Sequence, residues 1–228
     1  MARALAEMGV DAVYSYAGRT EAPVGQPLPV RVGRFGGVEG LAAYLRAEGI
    51  SHLIDATHPF AAQMSRNAVE AAAATGIPMI ALEREPWQAG EGDRWTHVAD
   101  LPSAVTALGD GPRRVFLAIG RQNLDVFAVA PQHHYLLRLV DPPTEPLPLP
   151  RAEAVIARGP FDLAGDLALL KDHRIEVIVA KNAGGAGAEA KLIAARELGL
   201  PVILIDRPWV PERRIARTVA EVMTWLNV

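Results

Sequence analysis

The 228 residues include no cysteine. That absence excludes disulfides, thiolate metal sites, iron–sulfur clusters and cysteine nucleophiles. Aromatic residues are scarce at 6%, while half of the chain is hydrophobic. The apolar bulk is therefore aliphatic, as suits helices covering a parallel sheet. Neither sign of charge dominates: 26 acidic residues stand against 23 basic ones, for a net charge of −3. Such a balance offers no bulk attraction for nucleic acid. No apolar run approaches the roughly 18 residues of a membrane span. No basic-then-apolar leader opens the chain, so the expectation is a soluble cytoplasmic protein. Also missing are a Gly-x-Ser-x-Gly elbow, a Walker loop and a His-Glu-x-x-His pair. Hydrolase and ATPase readings have no anchor. No metal site is expected, because His133 and His134 are adjacent in a polar connection, where neighbours on an extended segment point apart.

What is present is an alternation of strand-like and helix-like runs. The length suffices for one large domain or two small ones. Strands are expected at Val10–Ala17, Pro29–Val32, Ser51–Ala56, Pro78–Leu82 and Trp95–Val98. Helices are expected at Val38–Glu48, Pro59–Ala74 and Leu101–Leu108, from their apolar spacing and their glycine stops. Gly109-Asp110-Gly111-Pro112 has the composition of a linker. The pattern then restarts, with strands at Val115–Ile119, Tyr135–Val140, Ala154–Ala157, Glu176–Ala180 and Pro201–Ile205. Helices are expected at Leu163–Lys171, Glu189–Leu198 and Glu212–Leu226. The expectation is an α/β protein of two Rossmann-like parallel-sheet domains in tandem, residues 1–111 and 112–228. The first domain is expected to be without an opening strand and glycine-rich turn, since Met1–Met8 already reads as the later part of a helix. Either the start codon is misassigned or the fold does without them. The four tryptophans, Trp87, Trp95, Trp209 and Trp225, are spread out and expected to pack.

In open α/β sheets ligands bind beyond the carboxyl ends of the strands, and that is where the pointed residues fall. Ser15, Arg19 and Thr20 follow the first strand. Hydroxyls and an arginine there suit the 2′-phosphate of NADP, whereas an acid would suit NAD. An ordinary polar turn is the competing reading. Gly33-Arg34-Phe35-Gly36-Gly37 lets backbone approach a phosphate or a planar ring, and serves equally as a tight turn. Asp55-Ala56-Thr57-His58-Pro59-Phe60 joins a strand to a helix. Thr57 or His58 can cap that helix, Asp55 can bind a ribose or orient His58, and His58 can serve as a general acid. In the second half, Gly120-Arg121-Gln122 and Lys181-Asn182-Ala183-Gly184-Gly185 leave strand ends. With Arg138 and Arg158 they give several cations at successive strand ends, which suggests an anionic ligand.

Taken in order, these segments resemble the precorrin-6A reductase family of cobalamin biosynthesis, which includes cobalt-precorrin-6A reductases. The matching pieces are Ser15 to Thr20, Gly33 to Gly37, Asp55 to Ala61, Gly120-Arg121-Gln122, Arg158-Gly159-Pro160-Phe161, Lys181 to Gly185, Ala190-Lys191-Leu192 with Ala194-Ala195-Arg196, and Asp206-Arg207-Pro208. They cover nearly the whole chain. The resemblance implies an NADPH-binding N-terminal domain and a C-terminal domain closing a cleft over an anionic tetrapyrrole, precorrin-6A. It implies hydride transfer to a macrocycle carbon and protonation of its neighbour. By position, Ser15, Arg19 and Thr20 would hold the adenosine end. Gly36, Gly37 and Thr57 would lie along the cofactor, with His58 as a candidate proton donor and water as its rival. Arg121, Lys181, Asn182, Gly184 and Gly185 would face the substrate. Three departures stand out: the missing strand and Gly-Gly-Thr turn, Ala183 where serine is common, and Ala188-Glu189 in place of a hydroxyl before Ala-Lys-Leu. Three alternatives remain: a cobalt-containing substrate with NADH, a tetrapyrrole- or nucleotide-binding protein without catalysis, and a two-domain tetrapyrrole synthase of lyase type.

Overall fold

The computed structural model describes residues 1–17 and 25–227 of the chain. Two compact units emerge. The first is Met1–Arg84 with Trp209–Val228, and the second is Glu85–Pro208.

The first unit opens on α1 (Ala2–Glu7), followed by β1 (Tyr14–Tyr16), β2 (Val30–Val32), α2 (Gly37–Ala47), β3 (Leu53–Asp55), α3 (Ala62–Thr75) and β4 (Met79–Leu82). β1 and β2 form one parallel pair, with Tyr14 opposite Val30. β3 pairs with β4, Leu53 opposite Met79. The core between the helices is built from Leu41, Ala42 and Leu45 of α2 against Ala68 and Ala71 of α3. Leu41 and Leu45 are four residues apart and so share a helix face. The small side chains of α3 let the two helices approach closely.

The second unit carries β5 (Trp95–Val98), α4 (Leu101–Leu108), β6 (Arg114–Ala118), β7 (His134–Leu139), β8 (Ala152–Ile156), α5 (Leu163–Asp172), β9 (Val177–Lys181), α6 (Ala190–Glu197) and β10 (Val202–Ile205). A short 3-10 turn, Leu124–Val129, buries Leu124 and Phe127 after β6. The six strands run in the order β5-β10-β9-β6-β7-β8, and every pairing is parallel. All four residues of β10 are buried, as are Val177 to Ala180 of β9. Near-continuous aliphatic runs are what a strand covered on both faces requires.

The division into units departs from the expected break at 111/112. β5 precedes that point yet lies in the second sheet, because it pairs with β10, Trp95 opposite Val202 and Val98 opposite Ile205. Gly109 to Pro112 is thus the turn from α4 into β6 within one unit, not a linker. The chain returns to the first unit at its end. β11 (Ile215–Ala216) pairs with β4, so the expected helix over Glu212–Leu226 is confined to α7 (Val219–Leu226). Its start is marked in the sequence by Thr218-Val219-Ala220-Glu221. The Thr218 hydroxyl accepts from Glu221 N at 3.2 Å and the Glu221 carboxylate accepts from Arg217 N at 2.9 Å, a capping box whose carboxylate reaches one residue before the N-cap. Trp209 is another departure: it is 73% exposed, whereas Trp87 is buried.

Thr218→Ala removes the cap acceptor of α7 and is expected to lower stability by about 1 kcal/mol. Thr218→Ser should be near neutral. Urea denaturation of the two variants measures the difference.

Candidate active site

In the first unit, Ser15 lies on β1 and is exposed. Its hydroxyl accepts from Arg31 Nη1 at 3.5 Å. Arg31 was not singled out by the sequence, yet it organises the next loop. It donates to the carbonyls of Gly33 at 2.7 Å and Arg34 at 3.0 Å, and its guanidinium lies 3.9 Å from the Phe35 ring centroid. An arginine inside a short strand reads as a solvated face, so no local signal marked it. Gly36 and Gly37 follow with φ of 85° and 95°. Both occupy the left-handed region that disfavours side chains. A Cβ on Gly36 would meet no atom of the described residues within 4 Å, so among them the loop is open above its backbone. Arg19 and Thr20 lie outside the described residues.

The Asp55–Phe60 segment is held by its own turn. Buried Asp55 accepts from the Thr57 amide at 3.0 Å and from the Thr57 hydroxyl at 2.6 Å. The Thr57 hydroxyl also lies 3.3 Å from Ser65 Oγ. Neither Thr57 nor His58 caps α3, contrary to expectation. The helix begins at Ala62 with Ala61 at its N-cap and no capping side chain, because a turn from His58 O to Ala61 N at 2.7 Å closes first. His58 Nδ1 accepts from Phe60 N at 3.2 Å, which leaves the proton of the neutral ring on Nε2.

In the second unit the chain leaves β6 in one direction through β7 and β8, then continues in the other through β9 and β10. The switch point is therefore between β6 and β9, where such sheets open a crevice. Arg121 follows β6 and is exposed, and Lys181 ends β9 half-buried. Burial lowers the Lys181 pKa from its ordinary value. Asn182 sits beside it but has another task. Its side chain accepts from Trp87 N at 2.8 Å and donates to Trp87 O at 3.2 Å. Gly184 has φ of 69°, and a Cβ there would overlap the Glu85 carbonyl. Gly185 O accepts from the Trp87 indole at 3.1 Å.

Behind this loop lies a charged cluster that the sequence did not reveal. Arg138 is ion-paired with buried Asp166, and the guanidinium lies 4.1 Å from the Phe161 ring centroid. Asp166 Oδ2 has no hydrogen-bond partner among the described residues. Lys191 is 6% exposed, donates to Ala188 O and lies 4.6 Å from the Trp87 ring centroid. Burial brings its pKa down to about 8; Asp166 and Glu189 oppose that shift and Arg138 reinforces it. A lysine on a helix normally reads as surface, so only packing discloses it.

A cleft of about 280 Å³ opens beside the same strand ends, lined in part by Trp87, Gln88, His97, Asn182, Asp206 and Arg207. His97 Nδ1 and Asp206 Oδ1 are 2.7 Å apart there. A larger cleft of about 390 Å³ in the first unit lies against Gly76 to Met79 and Glu212 to Arg214. It adjoins the start of β4 and holds none of the expected site residues, so the carboxyl ends of the strands are the better candidate site. Among the described residues no group of three or more His, Asp or Glu could hold a metal ion, and no helix is long and apolar enough to cross a membrane. His133 is fully buried and His134 opens β7, bonded at 2.9 Å to Glu153, so the pair is not the polar connection expected.

The family model of precorrin-6x reductase CbiJ/CobK matches residues 1–227. The chain belongs to this family. A protein of Rhodobacter capsulatus named precorrin-6A reductase is 68% identical over 226 residues, covering 99% of this chain and 90% of that protein. A Sinorhizobium protein of the same name is 53% identical, covering 91% of this chain and 80% of its own length. A cobalt-precorrin-6A reductase of Priestia megaterium is 32% identical, with 85% and 79% covered. A solved structure described as CobK precorrin-6A reductase superposes with a TM-score of 0.95 at 68% identity, covering 99% of this chain and 90% of that one. The α/β architecture with parallel sheets is that of the family.

The Lys191 pKa sets a pH dependence. Unfolded, Lys191 holds its proton up to its ordinary 10.5; folded, it releases it near 8. Between those values the unfolded chain binds more protons, so stability rises with pH across the window. Below pH 8 the cost of burying the charge is fully present. The rise amounts to about 3 kcal/mol at most. Lys191→Met should abolish it. Tyr135, whose pKa burial raises to about 12, acts oppositely above pH 10 in both proteins and cancels in the difference. Denaturation of wild type and variant at pH 7 and pH 10 measures it.

Proposed function

We propose that the protein is an NADPH-dependent reductase converting precorrin-6A to precorrin-6B in cobalamin biosynthesis. The observation that carries this reading is the 68% identity, over 99% of the chain, to the Rhodobacter capsulatus protein named precorrin-6A reductase. The 32% identity to a cobalt-precorrin-6A reductase makes the metal-free substrate the better match than the cobalt-containing one. The setting is the cytoplasm.

The residues of the first unit fit a dinucleotide. Ser15 at the middle of β1 and Arg31 opposite it on β2 stand together, and Arg19 and Thr20 follow in sequence. A hydroxyl with arginines suits a 2′-phosphate, since each forked guanidinium contributes charge-assisted hydrogen bonds. Among the described residues Gly36 leaves open space for a cofactor to approach the backbone, and Gly37 has only the Glu39 carboxylate near it. NADPH held there would supply a hydride for one carbon of a macrocycle double bond, with a proton completing the neighbouring carbon. Thr57, fixed by Asp55, gives the adjoining loop a rigid edge. His58 presents Nε2 as the donor atom. To act as an acid the ring takes a second proton at Nδ1, which displaces the Phe60 amide.

The second unit supplies the grip on a polycarboxylate. Arg121 and Lys181 bring positive charge to the switch point. Gly184 and Gly185 offer backbone amides. Asn182 contributes through the loop it anchors, because its side chain is engaged by Trp87. The main catalytic device is positioning, the hydride chemistry being the cofactor's own.

Steady-state reduction of precorrin-6A by the purified chain tests this. NADPH should outperform NADH by at least about tenfold in kcat/KM, and Arg19→Ala should remove most of that preference, as expected for loss of a charge-assisted pair. NADPH binding with no oxidation in the presence of precorrin-6A would instead favour a binding protein. His58→Ala should lower kcat roughly a hundredfold, the scale of a general acid, with NADPH affinity unchanged. An unaltered kcat would assign the proton to water.

A further inference from the structure

We infer that Lys191 and Trp87 are positioning residues, which hold the Asn182–Ala188 loop in the one conformation that receives a substrate carboxylate. The inference rests on the proposed reading of the second unit as the tetrapyrrole-binding half. Neither side chain is placed on the substrate itself.

The loop is pinned by its carbonyls. Asn182 O accepts from Arg207 Nε at 2.9 Å and Ala183 O from Arg207 Nη2 at 3.2 Å. Gly185 O accepts from the Trp87 indole at 3.1 Å. Gly187 O accepts from Phe161 N at 3.4 Å. Ala188 O accepts from Lys191 Nζ. In a planar trans peptide the C=O of one residue and the N–H of the next point in opposite directions. Drawing the Ala183 carbonyl toward Arg207 and the Gly185 carbonyl toward Trp87 turns the Gly184 and Ala186 amides away from those side chains. Amides turned outward in this way are donors suited to a carboxylate.

Lys191 and Trp87 act together in this arrangement. The ammonium sits over the Trp87 ring at 4.6 Å, and it ties down the end of the loop whose middle the same ring holds. Trp87 is itself fixed by Asn182, which grips its backbone at both N and O. The contacts close a circuit: Asn182 to Trp87, Trp87 to Gly185, Trp87 to Lys191, Lys191 to Ala188. Burying a lysine for packing alone is unfavourable, because an apolar side chain of similar length fills the same space without the desolvation cost. The carbonyl it fixes gives the buried ammonium a role.

The test uses the full chain with Lys191→Met, Lys191→Arg, Trp87→Phe and the Lys191→Met/Trp87→Phe double variant. Three quantities are read: NADPH affinity, the KM and kcat for precorrin-6A, and amide hydrogen exchange across residues 183–188. Lys191→Met and Trp87→Phe should each raise KM roughly tenfold, the scale of one positioning hydrogen bond, and leave NADPH affinity alone. Exchange in the loop should quicken in both. The double variant should be little worse than the poorer single one, because both break the same circuit, and Lys191→Arg should recover part of the loss. A folded Lys191→Met protein with wild-type KM and wild-type loop exchange overturns the inference. Should the wild-type chain fail to reduce precorrin-6A at all, the functional reading falls, and loop exchange still decides whether Lys191 holds the loop.

Discussion

Backbone pairing at the strand edges governs how this chain is laid out. Each strand of a parallel sheet presents hydrogen-bonding groups on two sides, and buried groups left unpaired are costly. β10 is buried along its whole length and is closed on its outer side by β5. β4 is closed on one side by β11. The first requirement draws a segment from the first half of the sequence into the second unit. The other brings the last segment of the chain back to the first unit. Because β5 belongs to the second sheet, the residues leading into it belong there too, and Trp87 comes to lie against Asn182. The glycine at position 184 follows from the same packing, since the Glu85 carbonyl occupies the place of a side chain.

The electrostatics of the second unit are arranged around that contact. Asp166 and Lys191 are buried and Arg138 is partly buried beside them near the strand ends, two cations to one carboxylate, with one Asp166 oxygen left unsatisfied among the described residues. A buried set of this kind contributes little net stability, and the lowered Lys191 pKa records the strain of keeping it charged. Local rules of folding are commonly broken at functional sites and upheld elsewhere. The break here sits directly beneath a rim loop with two glycines at positive φ, next to Lys181. On the first unit the arrangement is simpler: Arg31 threads between Ser15, the Gly33 carbonyl and two aromatic rings, so one cation both shapes a loop and faces the hydroxyl beside it.

Much of the candidate site was legible because it depends on local chemistry. Glycines at strand ends mark loops that need positive φ, and Gly36, Gly37, Gly184 and Gly185 all have it. Lys181 follows an aliphatic run and so had to emerge at the edge of a buried strand. Other features were illegible for equally physical reasons. Lys191 and Asp166 lie on helices whose polar residues ordinarily face water. The pairing of β5 with β10 joins residues about a hundred positions apart, and periodicity carries no information on partners. Thr57 was read as a cap because hydroxyls often are; a four-residue turn intervened and gave its hydroxyl to Asp55 instead. The capping box at Thr218 was present in the sequence but hidden inside a segment read as one long helix.

By itself the sequence determined the α/β class, the aliphatic strands, the order of the rim loops and the family, since these follow from composition, local backbone preference and ordered motifs. Tertiary structure alone decided where the units divide, which strands complete which sheet, and which side chains are engaged within the fold. Those outcomes depend on edge pairing and burial, both of which are properties of the assembled chain. Asn182 shows the difference most clearly: its place at the end of a buried strand was written in the sequence, while the Trp87 backbone it holds was brought there only by the strand exchange.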